Sequence, residues 1–231
     1  MEKGVFFTIG ETRYHIHDSV FNAMMVAVFL LIVGFIVKKM IEKADYKKPP
    51  KGFLNIVEIY VTFIEDLVDS TMGKGRRGFV PYMGSLFLFL VFSNLLGLTG
   101  LTPPTSDYNV TLALAMMTFI LIHFFNIKSN GLGEYIKGYF APYVFLFPIN
   151  LLGEIATPIS LSFRIFGNIL SGSIIMTLVH AALNSVSVIL EIPLSAVLHI
   201  YFDVFSGLLQ AFIFVMLTMV NIGNVFPQEN N

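Results

Sequence analysis

Cysteine and tryptophan are both missing from the 231 residues, and charge is scarce. Without cysteine there can be no disulfide, no thiolate nucleophile and no cysteine metal site. Without tryptophan, any aromatic belt at a membrane surface falls to tyrosine and phenylalanine. Charged residues make up 13% of the chain, against about a quarter in an ordinary soluble domain. Hydrophobic residues make up 55%, and the mean hydropathy is +0.77. Such a chain cannot cover itself with polar surface, so lipid must be its main solvent. The net charge of −1 and the lack of a basic tract beyond one membrane-flanking segment give no reason to expect a nucleic-acid partner. A cleaved leader is not expected either. The polar stretch 1–18 precedes the first apolar run, which ends in Lys38-Lys39 rather than at a small-residue cleavage site.

What is present is a series of long apolar runs. A membrane-crossing helix needs about 20 apolar residues for about 30 Å of hydrocarbon. Val20 to Val37 meets that need, and so do Phe79 to Leu101 and Asn109 to Ile127, which a short loop with Pro103-Pro104 and Asp107 joins as a hairpin. From Tyr139 to Pro227 the only charged residues are Glu154, Arg164, Glu191 and Asp203, with a turn predicted around Asn184, Ser185 and Ser187. Each half of that stretch, taken as helix, is on the order of 60 Å long. The halves must therefore tilt, break or lie partly along the surface, and Pro142, Pro148, Pro158 and Pro193 offer break points.

The expected fold is an all-α integral membrane protein with about five transmembrane helices. Residues 1–19 form an external segment, 20–42 the first transmembrane helix, and 43–78 a cytoplasmic segment with an amphipathic helix. Residues 79–127 form a transmembrane hairpin, 128–138 a cytoplasmic loop, 139–227 a long, steeply tilted helical hairpin, and 228–231 a tail. Within 43–78, Phe53, Ile56, Val57, Tyr60, Phe63, Ile64 and Leu67 share one helical face, opposite an acidic one. That helix is expected on the inner membrane surface or against a partner protein. Nine of the 14 basic residues fall between Lys38 and Arg77, and Lys128 and Lys137 follow the third span. The positive-inside rule then places the N-terminus outside and the C-terminus in the cytoplasm.

Arg164 needs an explanation. It is the only basic residue other than histidine from Gly138 to the chain end, and a charge near the bilayer centre costs at least ~2.5–3.5 kcal/mol. Guanidinium stays protonated, so it needs water, dipoles or a carboxylate. Snorkelling to the interface, or pairing with Glu154 or Asp203, would satisfy it without any function. Its neighbours suggest more. Thr157, Ser160, Arg164, Asn168 and Ser171 form one stripe at helical spacing, and Ser195, His199, Asp203, Ser206 and Gln210 form a second. Two such stripes can line a watery path or act as plain interhelical glue, and Gly167, Gly172 and Gly207 beside them permit close approach. His199 and Asp203 alone supply too few ligands for a metal, and no cofactor is expected. No phosphate loop, paired-acid motif or nucleophile triad is present, so no catalytic site of its own is expected.

The run Pro158-Ile-Ser-Leu-Ser-Phe-Arg164-Ile-Phe-Gly-Asn168 closely resembles the P-x-S-L-x-x-R-x-F-G-N signature of subunit a of bacterial F-type ATP synthase. Asp107-Tyr-Asn-Val-Thr-Leu112 resembles the family's D-x-N-x-T-L, and Phe92-Ser-Asn94-Leu-Leu and Gln210 fit as well. The resemblance covers the chain from about residue 79 onward. It implies a stator subunit in the bacterial inner (plasma) membrane, working with a ring of c subunits and with peripheral-stalk b subunits. Two offset half-channels would load and unload H+ or Na+ on the ring, with protons favoured. Arg164 would be the essential arginine, with Asn168 and Gln210 as polar companions. Asp203, His199, Ser173 and Glu191 are candidates for the outer half-channel, and Glu154 for the inner one. One departure stands out: Ser173 occupies the place of a glutamate that many relatives carry nine residues after the arginine.

Overall fold

The computed structural model describes residues 4–9, 12–45, 49–184 and 188–226, and at 4–9, 12–16, 184 and 188–192 the backbone only. The chain divides into two compact units, Met1–Pro104 and Thr105–Asn231. Across both, five helices among the described residues are long and apolar enough to cross a membrane.

The first unit opens with an antiparallel hairpin, β1 (Gly4–Ile9) and β2 (Thr12–His17), the only strands among the described residues. Helix α1 (Asp18–Glu42) follows, 25 residues with no polar face to speak of. Only 11% of its most apolar window is buried within the protein, so most of its surface is left for lipid or a partner. Its first turns are the exception. Ser19, Asn22 and Val26 are buried at helical spacing, and the Asn22 amide donates to the Thr102 carbonyl at 2.8 Å. Helix α2 (Phe53–Met72) buries Ile64, Val68 and Met72. Of the apolar face read from the sequence, Ile64 is buried while Phe53, Ile56 and Phe63 are exposed. Helix α3 (Val80–Leu95) packs on α2 and extends through a 3-10 turn, Leu96–Thr99. The Tyr60 hydroxyl of α2 donates to the Gly84 carbonyl of α3 at 2.7 Å.

The second unit carries the signature. Asp107 caps helix α4 (Tyr108–Phe140), its carboxylate accepting from the Asn109 backbone N–H at 2.9 Å and from the Asn109 side chain at 3.1 Å. The D-x-N pattern is thus a helix start. The connecting segment 128–138, expected as a loop, is helical on both sides of Gly131. Gly131 has φ 80° and ψ 155°, a conformation that favours glycine and that kinks the helix there. Helix α5 (Phe147–Asn184) is a continuous 38-residue helix that accommodates Pro158. Next come α6 (Val188–His199), which packs on α5, a π-helical turn (Ile200–Ser206) and α7 (Gly207–Gly223). Ser185 and Ser187 of the predicted turn lie outside the described residues. The core of this unit joins Leu161 and Ile165 of α5 with Phe214, Val215, Met219 and Ile222 of α7, and Ala115 of α4. Thr118 and Thr218 hydroxyls meet at 3.4 Å inside it.

Candidate functional site

Helix α5 is two-sided about the signature. Pro158, Leu161, Ser162, Ile165, Gly172 and Met176 are buried and share one face of the helix. At about 100° per residue, Ser160, Arg164 and Ser171 fall on nearly the opposite face, and all three are exposed, among Phe163, Ile174 and Leu178. Arg164 is therefore not enclosed by its own chain. Among the described residues no acid stands within ion-pair distance of its guanidinium, so the expected alternative of a pair with Glu154 or Asp203 is not realised. Thr157 and Asn168 sit at the boundary between the two faces, half-buried.

Most hydroxyls of α5 are spent on their own helix. Thr157 donates to the Gly153 carbonyl, Ser162 to Ile159, Ser171 to Asn168 and Ser173 to Leu170. Ser173, exposed and turned onto its own backbone, does not join the groups gathered around Asp203.

Asp203 lies in the π-helical turn, where one extra residue per turn shifts the helix face. Its carboxylate is 2.7 Å from His199 Nδ1. In the same turn the Ser206 hydroxyl donates to Asn168 Oδ1 at 2.8 Å, tying the second polar stripe to the first. Phe202 packs against Gly172, where a Cβ would come within 3.3 Å of its ring. Gly172 thus permits the close approach expected of it, whereas Gly167 faces open space. Gln210 is 7% exposed and its Nε2 finds no hydrogen-bond partner. Asn168 and Gln210, expected beside the arginine, are thus not hydrogen-bonded to it in this isolated chain. The side chain of Glu191 lies outside the described residues, although its backbone falls in α6.

Two histidines that sequence reasoning passed over belong to this part of the molecule. His180, near the end of α5, has Nε2 3.3 Å from the Ser195 hydroxyl, and its ring lies 6.3 Å from that of His199. His123 of α4 has Nε2 4.0 Å from the Glu154 carboxylate. Each stands alone in an apolar run, with no motif to mark it.

Glu154 opens onto a cavity of about 610 Å³ between the far ends of α4 and α7 and the start of α5. Its lining is rich in amide and phenol groups: Asn126, Asn150, Asn221, Asn224, Tyr135 and Tyr139. A second hollow of about 270 Å³ is lined by Ser160, Arg164 and Leu217. Both are lined by Gly153, Thr157 and Asn221, so they adjoin. Pro158 has no N–H to close on the Glu154 carbonyl, which leaves a further acceptor beside this space.

The family model described as ATP synthase A chain matches residues 21–223. The sodium-ion-specific ATP synthase subunit a of Propionigenium modestum is 34% identical over 220 residues, 88% of this chain and 72% of its own. Subunit a of Moorella thermoacetica is 31% identical over 210 residues, with 90% of each chain covered. Subunit a of Priestia megaterium is 34% identical over 221 residues, covering 90% of this chain and 92% of its own. With a match that runs from the first apolar helix to the end of the last, the chain belongs to the ATP synthase A chain family.

Proposed function

We propose that this chain is the stationary ion-path subunit of an F-type rotary ATP synthase. The observation that carries this reading is the setting of Arg164. It is an exposed cation among exposed apolar side chains, at a hollow it lines together with Ser160 and Leu217, and among the described residues no acid of its own chain stands beside it. A cation at that depth needs a counter-charge, and a passing carboxylate on a ring of c subunits supplies one. The guanidinium holds that carboxylate ionised, because a nearby positive charge favours the charged form of an acid. It also repels cations that would otherwise run straight from one side to the other.

Two polar approaches support the half-channel arrangement. The inner one is the vestibule beside Glu154, which continues through Thr157 and Asn221 to Ser160 and Arg164. The outer one follows His199 and Asp203 to Ser206 and Asn168. Asn168 and Gln210 serve as polar companions, and the buried Gln210 amide, without a hydrogen-bond partner of its own, keeps a donor free within the helix pair. Protons are the favoured ion, because the outer approach is built from titratable side chains. Sodium, the ion named for the Propionigenium modestum relative, is the alternative. The N-terminus lies outside and the C-terminus in the cytoplasm of a bacterial plasma membrane. Peripheral-stalk b subunits hold the chain against the turning ring.

The test is the complete synthase reconstituted in liposomes. Arg164→Ala is expected to abolish ATP synthesis driven by an imposed gradient while the complex still assembles. Normal synthesis in that variant would remove the basis of the reading. Proton and sodium gradients, imposed separately on the unaltered complex, identify the ion.

A further inference from the structure

Ser173 on α5 cannot titrate, and its hydroxyl is occupied by the Leu170 carbonyl. The structure places titratable groups nearby on the same pair of helices. His180 lies two turns beyond Ser173 on α5, its Nε2 3.3 Å from the Ser195 hydroxyl of α6. The His180 and His199 rings are 6.3 Å apart at an interplanar angle of 45°. His199 Nδ1 in turn meets the Asp203 carboxylate at 2.7 Å. All four side chains are half-buried, neither sealed in the core nor open to bulk solvent.

We infer that His180 is a proton-relay residue of this chain, passing protons by way of His199 to Asp203. The inference rests on the proton-carrying reading above. Imidazole suits the task because it can accept a proton at one ring nitrogen while releasing another from the opposite one. Each transfer moves one proton and leaves the ring neutral again, so nothing is consumed. Between the two rings, one bridging water or a ring rotation completes the path. The titratable groups facing His180 and His199 among the described side chains are each other and Asp203. Ser195, Ser206 and Asn168 contribute hydroxyl and amide groups only. The acid Glu191 is on the same helix as Ser195, its side chain outside the described residues.

The experiment uses the whole synthase in proteoliposomes, with ATP synthesis and ATP-driven proton uptake measured across a range of external pH. His180→Gln keeps a hydrogen-bonding group for Ser195 but cannot titrate. Its rates are expected to fall at least fivefold with assembly intact. Adding Ser173→Glu to that variant restores a titratable group on the same helix face and is expected to recover at least half of the lost rate. A rate within twofold of the unaltered enzyme for His180→Gln overturns the inference. A slow variant that Ser173→Glu does not recover also overturns it, because it marks a packing role. Should His180→Gln fail to assemble, His180→Glu is expected to conduct with its pH dependence displaced to the acid side, and an undisplaced profile overturns the relay. Arg164→Ala in parallel separates the two levels. Inactivity there with a normal His180→Gln removes the relay alone, whereas activity there removes the proposed function beneath it.

Discussion

Arg164 could be singled out from the sequence because charge is so rare around it, and Asn168 because it shares the arginine's motif. His123 and His180 could not. A lone histidine in an apolar run has no local partner, and the partners appear only when α5 meets α4 and α6 across tens of residues. The exposure of Arg164 was equally hidden, since helical spacing sorts residues onto faces without saying which face the chain itself will cover. Tyr60 shows the same limit in the first unit. Its place on an apolar face was readable, but its bond to the Gly84 carbonyl was not. Tyr60→Phe is expected to destabilise the protein by about 1 kcal/mol, read as a lower midpoint in thermal unfolding of the detergent-solubilised complex. Burial raises the Tyr60 phenol above its ordinary value. The neutral phenol is thus favoured in the folded state, and its contribution is complete below the unfolded value near 10 and lost as pH climbs beyond it. The phenylalanine variant is expected to lack that alkaline loss.

Long uncharged runs made the spanning helices legible. Their internal irregularities were less so. The uncharged run ends at Ile127, and Lys128 and Lys137 follow it, so 128–138 was expected as a loop, yet the helix resumes after Gly131 because only that one residue leaves helical geometry. The π-helical turn left no mark in the sequence at all, since no residue type demands it. It nonetheless sets how the polar groups before it are aimed relative to those after it. Deleting Tyr201, which sits exposed in that turn, would restore ordinary pitch and swing Ser195 and His199 by about 100° relative to Gln210. ATP-driven ion uptake is expected to fall at least tenfold, with the subunit still present in the purified complex by immunoblot. Uptake at the normal rate would mean that the turn has no part in aiming these groups.

For the molecule as a whole, composition alone dictated a lipid-embedded protein, and the structure agrees with five helices of sufficient length and apolarity. Orientation rests on basic residues flanking the spans, an argument about charge rather than contacts. The absence of cysteine makes it directly testable, because any introduced thiol is unique. Leu101 and Leu132 are both exposed, the first ahead of α4 in the chain and the second in α4 just past its kink at Gly131. In sealed, right-side-out vesicles, Leu101→Cys is expected to react with an impermeant maleimide and Leu132→Cys only after lysis. The opposite pattern would invert the topology. The partners proposed for this chain were legible only through the signature, since the exposed face of α5 carries no contact within the chain that would name them.

That bareness bears on biogenesis. On the proposed reading, an orphan copy inserted ahead of its neighbours would hold the exposed Arg164 guanidinium against acyl chains, at a cost of at least ~2.5–3.5 kcal/mol, beside a hollow large enough for water. Such a copy is both a poor tenant of the bilayer and a potential leak. Synthesis after the ring has formed, or prompt proteolysis of unpartnered copies, spares the cell both hazards.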